Sequence, residues 1–365
     1  MVAMVSRIAQ NVVNRSLRIR EDDVVLITAS RGTLDLADEV AEECRKAGAE
    51  TTTTYFSENV WYWSLQNLPL EWLRGASKLD LAHLDVVTAT INVGGVVDPR
   101  PMTKISAERW AANSEGADHW YRKFVEHKVR TATVSLAIVT PQRARSYGFA
   151  FPKWKRAVES ALRADYSRIA ATGRKLSQVF GGSSAEVHVT SKSGTDLRFR
   201  LVSRKCRVDD GILDDEDLAA GTFSTNLPAG SVVVAPDETS ADGTVVFDLA
   251  IPQRGKLIRG ISWSLENGQV TEFTATRNGE MIIPIWEKSS GDKSRFGLFG
   301  IGVNRAAKAG YLDNPIVRGA VTLGIGDNKE LGGANMSTFG FQGTLGKATV
   351  LLDGRTIVSE GRLIE

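Results

Sequence analysis

Metal, thiol and acid–base chemistry each require particular side chains, and these are unevenly spread along this 365-residue sequence. Its four histidines are His83, His119, His127 and His188, so no imidazole follows position 188. From Val189 to Glu365 the only cysteine is Cys206. Transition-metal catalysis leans on imidazole and thiolate ligands, so this half has carboxylates and neutral oxygens to work with. His83, His119 and His127 share no metal-binding spacing, and His119 beside Trp120 in a polar stretch reads as a surface or interdomain position. Asp209 and Asp210, in KCRVDDG, offer carboxylates for general acid–base work; adjacent acids before Gly211 also read as a turn. Nothing next to Cys206 signals a tuned thiolate, and two distant cysteines, Cys44 and Cys206, make no disulfide framework.

The elements that must carry these residues change character along the chain. Val24–Ala29 (VVLITA) is a continuous β-branched run suited to a strand buried on both faces. After SRGT, the apolar positions Leu36, Val40 and Cys44 lie four apart, with Ala37 and Ala41 beside them. That is one face of an amphipathic helix. Thr33 or Ser30 suits its start, Asp35 its first turn, Arg45 and Lys46 its last, and Gly48 its end. A strand resumes at Thr51–Tyr55, completing a right-handed βαβ unit. Leu84–Val93 and Thr131–Thr140 read as two more buried strands. The SRGT turn has one glycine and no dinucleotide or Walker pattern, so an ordinary strand-to-helix turn is the favoured reading over an anion site. The aromatic run Trp61–Leu73 reads as a loop packed on the sheet, with a ligand wall as the alternative.

Two helical segments between residues 151 and 180 precede a switch to period-two alternation. AEVHVTSKSGTDLRFRLVS alternates around a Ser-Gly turn, directing Val187, Val189, Leu197, Phe199 and Leu201 to a core and His188 away from it. Asn267-Gly268 and Asp353-Gly354 mark two further hairpins with primed turns. The strings GLFGIGVN, GIGDN and LGG mark close backbone approaches or positive φ, and lack the strand-then-helix setting of a phosphate loop. The predicted architecture is α/β plus β-rich: an open parallel-sheet domain over residues 1–180 and an antiparallel β-rich domain over 181–365.

With 45 basic and 43 acidic residues the formal charge is +2, which gives no argument for nucleic-acid or membrane partners. No apolar run approaches the roughly 18 residues of a spanning helix. The N-terminal stretch is charged too early for a signal peptide, and the expectation is a cytoplasmic protein.

Several strings, in order along nearly the whole chain, resemble the thermophilic metallo-aminopeptidase family, known for aminopeptidase T and the related 2,5-dihydroxypyridine dioxygenases. They are VVLITASRGTLDLADEVAEECRKAGAE, SGTDLRFRL, NLPAGSVVVAPDETSADGTVVFD, GIGVN, GIGDNKELGG and ATVLLDGRTIV. The resemblance implies a flavodoxin-like N-terminal domain, a cylinder-forming β-rich C-terminal domain and a homodimer. It also implies metal-ligand positions, and these do not carry the family's residues. The glutamate after Pro-x-Gly falls at Ser231 and a second glutamate at Leu298. A histidine falls at Thr322, a His-x-Asp pair at Gly340 and Gln342, and the catalytic tyrosine near Lys329.

Paired divalent cations need converging carboxylates and imidazoles. Ser, Thr and Gln are neutral, and Leu298 is no ligand. The expectation is therefore a family cleft without metal or other cofactor. Its candidate catalytic residues are Lys329, Ser231, Asp209 and Asp210, and its candidate substrate contacts Thr322, Gln342, Asp327 and Asn328. A lysine desolvated in a pocket can act as base or Schiff-base nucleophile, and Ser231 can act as nucleophile beside a base. Tyr311 and Asn304 are weaker candidates. The expected function is a metal-independent enzyme acting on a small molecule or modified peptide, by hydrolysis, elimination, cyclisation or isomerisation. A non-catalytic peptide- or partner-binding protein is the alternative, and an aminopeptidase with relocated ligands a second.

Overall fold

In a computed structural model describing residues 7–182 and 184–364, the chain forms nineteen strands in chain order within those residues. They are β1 (Val24–Ala29), β2 (Glu50–Tyr55), β3 (Ala89–Val93), β4 (Arg130–Val134), β5 (Ala185–Thr190), β6 (Asp196–Leu201), β7 (Arg207–Asp209), β8 (Ser224–Leu227), β9 (Ser231–Val234) and β10 (Asp242–Val246). There follow β11 (Ile251–Gln253), β12 (Lys256–Glu266), β13 (Gln269–Arg277), β14 (Phe296–Gly302), β15 (Val321–Gly326), β16 (Gly340–Leu345), β17 (Thr349–Leu352), β18 (Arg355–Ser359) and β19 (Arg362–Leu363). The chain divides into two compact units, Met1–Lys155 with Gly211–Pro228, and Arg156–Asp210 with Ala229–Glu365. The sequence reading draws one boundary near residue 180. The structure instead returns Gly211–Pro228 to the first unit, because β8 pairs there with β4.

The first unit is built on a five-stranded parallel sheet in the order β2-β1-β3-β4-β8. Val25, Ile27 and Ala29 on β1 and Ala89, Ile91 and Val93 on β3 are fully buried. The helix Leu34–Lys46 buries Leu36, Ala37, Val40 and Cys44, the four-residue spacing expected of it. Two predicted strands are shorter than their apolar runs. Before β3, Val87 donates its N–H to His83 O (2.9 Å), so Leu84–Val87 form a turn from which Leu84 and Val87 pack with Phe124, Val129 and Phe223. After β4, Ser135–Ile138 tighten into a 3-10 turn. The Thr140 hydroxyl then caps the helix Pro141–Tyr147, with Pro at its first position. The aromatic run is helical, spanning Glu58–Asn67 and Leu70–Arg74, and packs Leu65 and Leu73 against Ile105 and Ala112.

The second unit holds a nine-stranded sheet ordered β11-β12-β10-β6-β5-β17-β18-β19, with β13 on β12, and a five-stranded sheet ordered β16-β15-β14-β9-β7. The β5–β6 hairpin pairs Val187 with Phe199 and Val189 with Leu197, the expected alternation. Asn267, Gly268, Asp353 and Gly354 all have positive φ, as primed turns demand. Aromatic rings join the two sheets. Phe199 lies 4.9 Å from Phe296 and 5.2 Å from Phe299, centroid to centroid, and Phe180 of the helix Tyr166–Gly181 lies 5.2 Å from Phe299. That helix comes close because Gly173 has no side chain: a Cβ there would sit 2.4 Å from Val208 Cγ1.

Candidate functional site in the five-stranded sheet of the second unit

Directly opposed residues of antiparallel strands point to the same face of the sheet. The registers therefore sort this sheet into two surfaces. Phe296, Phe299, Ile301, Val321, Leu323, Ile325, Val232, Val234 and Leu345 form the buried one. On the other, Asp209 opposes Ser231 and Ser231 opposes Gly302. Val233 opposes Gly300, Gly300 opposes Thr322 and Thr322 opposes Thr344. Leu298 opposes Gly324, Gly324 opposes Gln342, and Gly340 opposes Gly326. Ser231, Leu298, Thr322, Gly340 and Gln342 thus share one surface across four strands. The glycines keep it shallow. A Cβ on Gly324 would lie 3.0 Å from Leu298 Cβ and 3.5 Å from Gln342 Cβ, and one on Gly300 would lie 2.7 Å from Val233 Cγ1.

The candidate residues fall into three groups. Ser231 and Asp209 are brought together as cross-strand partners, both half-buried. Directly opposed Cβ atoms stand about 5 Å apart, which puts the hydroxyl and the carboxyl group on the same face of the sheet. Asp210 follows, beyond the end of β7. Thr322 is 2 % exposed with its hydroxyl 3.3 Å from that of Thr344, and Gln342 is exposed. Lys329 and Asp327 lie beyond β15 and are exposed. The desolvation that would make Lys329 a base is therefore missing.

Asn328 is structural. Its Nδ2 donates to Glu238 Oε1 (3.2 Å) and Gly297 O (3.1 Å), and its Oδ1 accepts the Asn335 N–H (3.0 Å). Gly333 is bare because a Cβ there would lie 2.1 Å from Asn328 Cγ. Glu238 takes both arms of Arg204 at 2.8 and 2.9 Å and the Ala334 N–H at 2.7 Å. Burial alone would raise the Glu238 carboxyl, but Arg204, the Ala334 N–H and Asn328 outweigh it and hold it below its ordinary value. Asn304 acts likewise, donating to Ala229 O (2.8 Å) and Ala161 O (3.4 Å) and accepting from Ala306 (2.9 Å) and Ala307 (3.2 Å). The asparagines of GIGVN and GIGDN therefore staple loops, with no side-chain hydrogen-bonding capacity left for a ligand in the case of Asn304.

One group without a sequence motif enters here. Burial pushes the Asp313 carboxyl up to about 6. Its loop runs between β14 and β15, and backbone of that loop lies on the same surface at Gly302, where a Cβ would sit 2.1 Å from Val317 O. A lone aspartate in YLDNP gave no spacing to find it by. Burial also raises Cys206 to about 11, so its thiol stays protonated. His188 is held by Asp196 at 2.7 Å on the larger sheet. Among the described residues no three His, Cys, Asp or Glu side chains group where they could hold a metal ion. No helix among them is long and apolar enough to cross a membrane.

Comparison with solved structures gives two full-length likenesses. AmpT from Thermus thermophilus matches with a TM-score of 0.76 at 16% identity, covering 100% of both chains. The 2,5-dihydroxypyridine dioxygenase from Pseudomonas putida KT2440 matches with a TM-score of 0.59 at 15% identity, covering 100% of this chain and 98% of that one. At these identities the likeness is one of fold. A search among curated proteins found no significant match. The sequence model of the thermophilic metalloprotease (M29) family matches residues 2–297, and the chain belongs to that family.

Proposed function

We propose that this chain is a metal-independent member of its family, acting on a small molecule or modified peptide at the shallow surface of the five-stranded sheet. One observation carries the reading. The positions at which the family resemblance expects ligands share one surface, and they hold Ser231, Leu298, Thr322, Gly340 and Gln342. A hydroxyl pair, an amide, a glycine and an aliphatic chain cannot balance a divalent cation. The residues present do not fit the family's metal, and no step here runs through one.

The chemistry left to the surface is proton transfer and nucleophilic attack. Ser231 supplies a hydroxyl, and Asp209 opposite it is the group to orient or deprotonate it as substrate binds. Asp313, ionising near 6, suits a proton donor to a leaving group. A hydroxyl nucleophile with a carboxyl group on the same sheet face serves hydrolysis, elimination, cyclisation or isomerisation alike. A second reading, a non-catalytic peptide- or partner-binding protein, is favoured by the absence of histidine beyond His188. The expected homodimer and cytoplasmic setting belong to this proposal too.

The test is elemental analysis of protein purified without chelator, with turnover of a substrate panel before and after chelator treatment. Substoichiometric transition metal and chelator-insensitive turnover are expected. Stoichiometric zinc, cobalt or iron, removed together with activity, would overturn the reading. Full ligand binding with no turnover would favour the binding protein.

A further inference from the structure

The first unit half-buries a cation that no carboxylate of its own fold pairs. Arg143 lies on the helix Pro141–Tyr147, beside the loop that leaves β3. That loop is gripped from both sides. The Glu58 carboxylate accepts the N–H groups of Val97 and Asp98, and the Tyr62 hydroxyl donates to Asp98 O at 2.6 Å. From the other side the Thr140 hydroxyl donates to Val97 O at 2.7 Å, and Arg143 Nη2 donates to Val96 O. Each carboxylate nearby is committed elsewhere: Glu58 to the backbone, and Asp98 to Arg100 Nε at 2.9 Å. Neither touches the Arg143 guanidinium, and Arg143 Nε is sealed from solvent without a hydrogen-bond partner. Burial lowers the pKa of Arg143 even with Tyr147, Tyr62, Glu58 and Asp98 around it, so its charge is under-compensated.

A buried donor without an acceptor is rare and costly, and more so on a charged group. Arginine's fork is built for planar oxyanions. The location agrees. Strand order runs from β1 outward to β2 on one side and to β3 on the other, and the loops after β1 and β3 meet where Ser30 Oγ accepts the Gly95 N–H at 2.8 Å. Open parallel sheets take ligands beyond the carboxyl ends of their strands at such a reversal.

We propose that Arg143 anchors an oxyanion-binding site at the carboxyl end of the parallel sheet, taking a carboxylate or phosphate group through the guanidinium N–H groups that Val96 O leaves free. The proposal is independent of the chemistry assigned to the second unit.

The test is thermal unfolding of the full chain against sodium phosphate and, separately, sodium acetate, at ionic strength held constant with chloride. The wild-type melting temperature is expected to rise saturably with one of them, and which one identifies the headgroup. Arg143→Met should lose that rise and, in chloride alone, stay folded, the lost Arg143–Val96 O hydrogen bond offsetting the relief of removing a half-buried charge. Arg143→Lys keeps the charge without the planar fork and should bind about tenfold more weakly or worse. No saturable rise with either anion would overturn the proposal. So would an undiminished rise in Arg143→Lys, or in Arg143→Met.

Discussion

At the residue scale, two kinds of polar side chain separate cleanly. Asn304 and Asn328 have their hydrogen bonds consumed by backbone, whereas Ser231 and Asp209 meet across a strand pair. Asn304→Ala strands the Ala229 carbonyl and the Ala306 and Ala307 N–H groups, while Ala161 O keeps the Ala164 N–H. It should cost about 2–4 kcal/mol in urea unfolding. Ser231→Ala and Asp209→Asn should each change stability by under about 1 kcal/mol and lower turnover by about 100-fold or more; full activity in both would remove them from the chemistry. Asp313 gives a signed pH effect. Its folded pKa of about 6 lies above its ordinary 3.8, so the folded chain holds the proton longer. Stability then falls as pH rises through that window and stays reduced above it. Asp313→Asn should lift the midpoint stability at pH 7 by on the order of 1–2 kcal/mol and leave it unchanged at pH 3.5. If Asp313 is the proton donor, the same variant removes the limb of the activity profile near pH 6.

At the scale of elements, glycine spacing on β14, β15 and β16 makes one surface shallow and the other a packed core. Gly300→Ala brings a methyl 2.7 Å from Val233 Cγ1 and 3.1 Å from Val232 O. It should lower stability by about 1–3 kcal/mol in thermal melts. The shared surface also makes a constructive prediction. Leu298→Glu, Thr322→His and Gln342→Asp together restore the donor types the resemblance implies. They should give cobalt binding visible by absorption, with none in the parent; failure of the triple variant would place these positions apart from one another. Much of this was legible beforehand. The VVLITA run, the Leu36-Val40-Cys44 stripe and the Asn-Gly and Asp-Gly turns each carry a local physical signature, and each formed its element. Leu84–Val87 did not extend β3, because burial under a neighbouring helix also demands apolar side chains. Asp313 was invisible because its shift comes from surroundings and not from spacing. The exposure of Lys329 and the commitment of Asn328 likewise depend on partners distant in sequence.

At the scale of the whole molecule, each unit contains a buried carboxylate whose hydrogen bonds hold its pKa below the ordinary value. Asp23 is 5 % exposed and takes Arg130, the Thr88 hydroxyl (2.6 Å) and the Arg20 N–H (2.8 Å); Glu238 takes Arg204 in the other unit. Both folded values lie below the ordinary 3.8 and 4.5 despite burial. The unfolded chain therefore protonates first as pH falls. Their stabilisation is whole above those ordinary values and drains away below them. Glu238→Gln should flatten the acid limb of a stability-versus-pH curve and cost about 3 kcal/mol or more at pH 7, since it leaves Arg204 unpaired.

The return of Gly211–Pro228 to the parallel sheet has a further bearing on how this polypeptide is made. A ribosome releases β4 long before β8, and all of β5, β6 and β7 emerge between them. The earlier-born half must wait, one border open, until residue 228 has cleared the exit tunnel. A nascent chain halted at 180 should remain protease-sensitive, and one halted some forty residues past Pro228 should show the first protected fragment.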